Sequence, residues 1–143
     1  MNVGQAIGCR IRETLPASLG VLDTFCERIR KVLQEEGVGS DLFAVELLLR
    51  EALTNAILHG SQGNPSKSVH CELGIQDDCV TIIVADEGEG FPWRAAMERE
   101  PRPLSSSGRG LGILYKYATS IQFNEKGNRL ELKRRLEKGH HHG

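Results

Sequence analysis

A two-layer α+β sandwich, with helices packed on one face of a mixed, mostly antiparallel sheet, is the fold class this sequence predicts. Two stretches, 19–33 and 42–56, repeat apolar residues at helical spacing, and the segments 7–12, 69–75, 79–85, 121–123 and 129–135 read as strands. The three residues Gln76, Asp77 and Asp78 between two of those strands suit an antiparallel hairpin. Such a sheet, wet on one side, needs its other face covered, and the amphipathic helices can cover it.

In chain order, Ile7, Cys9 and Ile11 alternate with Gly8, Arg10 and Arg12, the pattern of a strand with one buried face, suited to a sheet edge. After Pro16, the residues Leu19, Leu22, Phe25, Cys26, Ile29, Val32 and Leu33 form the apolar stripe of a first helix, which Gly37 stops. Ser40 is the expected N-cap of a second helix, with Asp41 in its first turn. Its apolar side is Leu42, Val45, Leu49, Ala52, Leu53 and Ala56, and it ends near His59 and Gly60. In the second hairpin strand Val80, Ile82 and Val84 share a face, and continued alternation aims Asp86 toward the helices. Residues 92–108, rich in Pro, Ser and charge, read as a long loop after one helical turn around 93–97. Leu111, Leu114 and Ala118 then mark a short helix before the last two strands.

A chain of 143 residues, 39% hydrophobic, is expected to form one domain over 1–137, with 138–143 and its His140, His141 and His142 read as the remnant of an expression tag. The near balance of 18 basic and 19 acidic residues gives no field favouring direct nucleic-acid or membrane partners. Cys9, Cys26, Cys71 and Cys79 lack metal-ligand spacing and read as reduced thiols; with no leader pattern, the expected location is cytoplasmic. The apolar run 42–49 is broken by Glu46 and is too short for a bilayer, so a soluble protein is expected.

Three groups of residues could carry chemistry. Glu51, Asn55 and His59 are four apart, each displaced by about 40° from the last, so they line one helix stripe. That spacing alone also describes an ordinary solvated face. Asp86, Gly88 and Gly90 follow a buried strand, where the glycines could let backbone approach a flat ligand that Asp86 engages. Gly108, Arg109, Gly110, Leu111 and Gly112 open a helix, where free N–H groups favour phosphate. Neither glycine cluster is a P-loop, because no Gly-Lys-Ser/Thr stands at the required spacing.

The order of these groups resembles the GHKL, or Bergerat, ATP-binding superfamily, and the wording of all three is similar to that of the bacterial anti-sigma-factor serine/threonine kinases with a histidine-kinase-like ATPase domain. The resemblance implies ATP and Mg²⁺ as cofactors. Asp86 would accept a hydrogen bond from the adenine amino group, with Gly88 and Gly90 shaping the base pocket. Asn55 would offer an amide oxygen to Mg²⁺, and Glu51 would be the catalytic base. The loop 98–107 would be a lid, while Gly108, Arg109, Gly110, Leu111 and Gly112 bind phosphates. His59 would be structural.

Two departures stand out: Ser105-Ser106-Ser107 replaces a basic residue common in the group, and Gly127-Asn128-Arg129-Leu130 lacks the threonine commonly found near the adenine. The implied function is phosphorylation of a small anti-sigma-factor antagonist, with a sigma factor as a further expected partner and a homodimer expected by analogy. The competing readings are a non-catalytic module that uses ATP to switch partners and a stand-alone histidine-kinase-type ATP-binding domain. In the latter the position of Glu51 is typically Asn and a phosphoacceptor helix precedes it.

Overall fold

A computed structural model describes residues 7–95 and 111–137. The elements are β1 (Ile7–Pro16), α1 (Leu19–Glu35), α2 (Leu42–Asn55), β2 (Ser68–Gln76), β3 (Cys79–Asp86), α3 (Leu111–Tyr117), β4 (Ser120–Phe123) and β5 (Arg129–Arg135). The sheet has the order β1-β2-β3-β5-β4, and every described pairing is antiparallel. β1 is indeed an edge strand, and Gln76 pairs Cys79 across a two-residue turn in which Asp77 takes φ +56°.

Alternation decides which face is buried. Val69, Cys71, Leu73 and Ile75 of β2, with Val80, Ile82 and Val84 of β3, point into one core with Leu22, Phe25, Ile29 and Leu33 of α1 and Val45, Leu48, Leu49 and Leu53 of α2. α2 packs on α1, α3, β3 and β5, so it is the central helix of its layer. Ser18 caps α1, its Oγ accepting the Val21 N–H at 3.4 Å, and Gly37 ends it at φ +74°.

The start of α2 differs from expectation. Ser40 sits inside a 3₁₀ turn, Gly39–Asp41, and the N-cap position of α2 is Asp41, whose side chain makes no capping bond. That carboxylate is committed elsewhere. It is 1% exposed, accepts from Arg134 Nε at 2.9 Å and from the Glu137 N–H at 2.9 Å, and lies 2.8 Å from Arg134 Nη2. Arg134 Nη1 donates in turn to the Tyr117 carbonyl at 2.7 Å. The group thus clips the end of β5 to the entrance of α2 and the exit of α3. At the other end α2 continues into one π-helical turn, Ala56–Gly60.

Candidate functional site

Glu51 and Asn55 lie one turn apart in the last two turns of α2, and both are half-buried. Partial burial pushes the Glu51 carboxyl above its ordinary value, with the neighbouring Arg50 charge acting in the opposite direction. His59 lies within the π turn, where the Ser61 N–H bonds to the Ala56 carbonyl at 2.8 Å, and it is exposed.

Asp86 ends β3, paired with Val69 of β2. Its N–H donates to the Asn128 carbonyl at 2.9 Å, and its Oδ1 accepts the Gly88 N–H at 2.7 Å. Strand alternation aims the carboxylate at the helix layer, where it meets the backbone of Gly60: a Cβ there would overlap all three carboxyl atoms. Gly90 is required on two counts, since its φ is +85° and a side chain would collide with the Lys126 carbonyl.

The β4–β5 connection supports this loop from the opposite side. Asn124 Oδ1 accepts the N–H groups of Gly127, Asn128 and Arg129 at 2.8, 3.0 and 3.1 Å, closing the turn around one side chain. Asn124 Nδ2 donates to Asn128 Oδ1 at 2.8 Å, and Asn128 Nδ2 donates to the Gly88 carbonyl at 3.2 Å. The pair Asn124 and Asn128 therefore links the two loops.

Between these parts lies a cleft of about 30 Å³ lined by Asn55, Val84, Asp86, Phe91, Leu111, Phe123, Asn128 and Leu130, among others. Phe123 meets Phe91 edge-on at 5.1 Å and stacks on Trp93 at 5.5 Å. A cleft that brings Phe91, Phe123, Leu111 and Leu130 together with the Asp86 carboxylate is suited to an aromatic base that carries a hydrogen-bond donor. Small-molecule pockets usually run to ~300 Å³ or more, so the cleft formed by the described residues is smaller than a ligand site of that kind.

Of the sequence-predicted site residues, Asn55, Asp86 and Leu111 line this cleft, Glu51 lies one helical turn before Asn55, and Gly88 and Gly90 shape the Asp86 loop. Gly112 is buried in the first turn of α3. Gly108, Arg109, Gly110 and the lid expected at 98–107 lie outside the described residues, as does the end of the helical turn expected at 93–97. Among the described residues no three His, Cys, Asp or Glu side chains converge on one point. A hard cation there would depend on an amide oxygen, such as that of Asn55, together with oxygens from the ligand.

Sequence reasoning noted Gly60, Phe91 and Asn128 only within longer segments, gave none of them a role in the site, and missed Asn124 and the part of Phe123 in the cleft. The Asn/Gly composition of Asn124-Glu125-Lys126-Gly127-Asn128 was a visible turn signal. Nothing local could show that this turn touches the Asp86 loop.

Residues 15–134 match the family described as histidine kinase-like ATPase domain. The chain is 28% identical over 114 residues to the anti-sigma F factor of Oceanobacillus iheyensis, covering 75% of this chain and 78% of that one. It is 31% identical over 116 residues to the anti-sigma F factor of Heyndrickxia coagulans, covering 73% and 77%. It is also 31% identical over 104 residues to that of Clostridium perfringens, covering 67% and 74%.

Proposed function

Since this chain belongs to the histidine kinase-like ATPase domain family, within the GHKL anti-sigma kinase group, we propose that it is an ATP-dependent protein serine/threonine kinase that acts as an anti-sigma factor and phosphorylates a small antagonist protein. The observation that carries this reading is the placement of Asn55 and Asp86 in one cleft, with the partly buried carboxylate of Glu51 one turn before Asn55. The names of the relatives supply the regulatory context.

In this reading the cleft takes the adenine ring and Asp86 accepts a hydrogen bond from its amino group. The Asn55 amide oxygen would help to hold Mg²⁺ beside the nucleotide phosphates, and the ion would supply charge neutralisation there. Gly108, Arg109, Gly110 and Gly112 bind the phosphates through backbone N–H groups and one guanidinium. The substrate hydroxyl oxygen forms a bond to the γ-phosphorus as the bond to the ADP oxygen breaks, and Glu51 takes the hydroxyl proton. A carboxylate raised by burial is a better proton acceptor than one in water.

Titration of Mg-ATP by calorimetry tests the site. Asn55→Ala and Asp86→Asn should each weaken binding about tenfold or more, in line with the loss of a charge-assisted or metal-directed contact. Transfer of labelled phosphate to candidate antagonist proteins tests the chemistry. ATP binding by the parent protein without transfer to any such protein would instead favour a non-catalytic switch.

A further inference from the structure

The π-helical turn that ends α2 places Gly60 against a residue 26 positions later in the chain. Gly60 and Gly88 both lie outside the set of positive-φ glycines, so neither is needed for an unusual backbone conformation. What both require is space. A Cβ on Gly60 would overlap Cγ, Oδ1 and Oδ2 of Asp86, and a Cβ on Gly88 would overlap the Gly60 carbonyl. The Asp86 carboxylate is therefore wedged between the end of α2 and its own loop, with Oδ1 held by the Gly88 N–H at 2.7 Å and the Asp86 backbone held by Asn128 at 2.9 Å.

We propose that Gly60 is the positioning residue for Asp86: the bare backbone at the end of α2 admits the carboxylate and fixes the direction in which it meets the base. The inference rests on the adenine-site reading given above. Its physical content is that one helix carries Glu51 and Asn55 and, through Gly60, also fixes the group that selects the base. A methyl group at Gly60 cannot coexist with the observed carboxylate position. Because the Gly60 backbone suits alanine, the added methyl would act by displacing Asp86 rather than by straining α2.

Two measurements on the full chain test this. The first is the affinity for ATP and for purine riboside triphosphate, which lacks the 6-amino group, in the parent and in Gly60→Ala. The parent should prefer ATP by about tenfold or more, the usual scale for a hydrogen bond to a charged group. Gly60→Ala should lose most of that preference, with ATP affinity falling while analogue affinity changes by less than about twofold. A Gly60→Ala protein that keeps the parental preference overturns the proposal, whereas a parent with no preference overturns the adenine reading on which it stands.

The second measurement is the fall in melting temperature caused by Gly60→Ala, made in the parent and in an Asp86→Ala background. The fall should be several-fold smaller when the colliding carboxylate is absent. Equal falls in both backgrounds would mean that the methyl group meets something other than Asp86, and the proposal fails even if the variant binds no nucleotide.

Discussion

Glu51 holds its carboxylate partly out of water, and burial raises its affinity for a proton. Two outcomes follow from that direction. If Glu51 is the proposed catalytic base it must be ionised to act, so phosphotransfer at saturating ATP should fail on the acid side with a midpoint above the ordinary 4.5, read from a pH–rate profile. Its ionised form is also disfavoured in the fold, so the folded state binds more protons than the unfolded state, and stability attributable to Glu51 falls as pH rises from 4.5 through the raised value. Glu51→Gln should therefore lower turnover by about 10²–10⁴ and leave ATP binding within about twofold. Its melting temperature should slightly exceed that of the parent at neutral pH, an advantage that disappears at low pH. Asn124 is a second sensitive residue. Asn124→Ala removes the acceptor of three backbone N–H groups and should cost about 1–3 kcal/mol by urea denaturation, together with weaker ATP binding.

At the scale of elements, α2 organises the molecule. Its N-terminal end is tied to β5 by the Asp41–Arg134 pair, and its C-terminal turn presses on the end of β3 through Gly60 and Asp86. Arg134→Ala would leave the Asp41 carboxylate buried without its guanidinium, so it should destabilise the protein by about 3–5 kcal/mol in chemical denaturation. Double replacement of Asp41 and Arg134 by apolar residues should cost less than Arg134→Ala alone, because no orphaned charge remains. The sequence placed α2 and its apolar side correctly from spacing. It misassigned the cap because Ser40 and Asp41 are both good capping residues, and a partner 93 positions away decided that Asp41 would be buried instead. His59 lies in the π turn, so the four-residue spacing of an uninterrupted α-helix, from which the sequence aligned it with Asn55, does not apply to it unchanged.

For the whole molecule, the covered sheet face makes the core continuous from α1 to β5. Cys71, in the middle of β2, has its thiol pushed up to about 12 by burial. An alkylating reagent at pH 8 should accordingly spare Cys71 in the native protein and label it only on global unfolding, while the half-buried Cys9 and Cys79 react earlier. Between 9.0 and that raised value the unfolded chain loses the Cys71 proton more readily than the folded one, so stability should fall as alkaline pH rises, and Cys71→Ala should reduce that alkaline loss. No helix among the described residues is long and apolar enough to cross a membrane.

Much of this architecture follows from local physics that a sequence displays directly. Period-two alternation assigned the strands and aimed Asp86 at the helices, helical spacing put Glu51 and Asn55 on neighbouring turns, and the Asp-x-Gly-x-Gly pattern marked the loop beside the cleft. Each depends on residues a few positions apart, within reach of backbone geometry alone. The tertiary structure decided what depends on distant pairs: the meeting of Phe91 and Phe123 in the wall of the cleft, the asparagine bridge from β4–β5 to Gly88, and the seat of Asp86 on Gly60. No local rule determines these contacts, because the chain separation between partners carries no periodicity. They are fixed only when strand order brings β5 beside β3 and the core seats α2 across both.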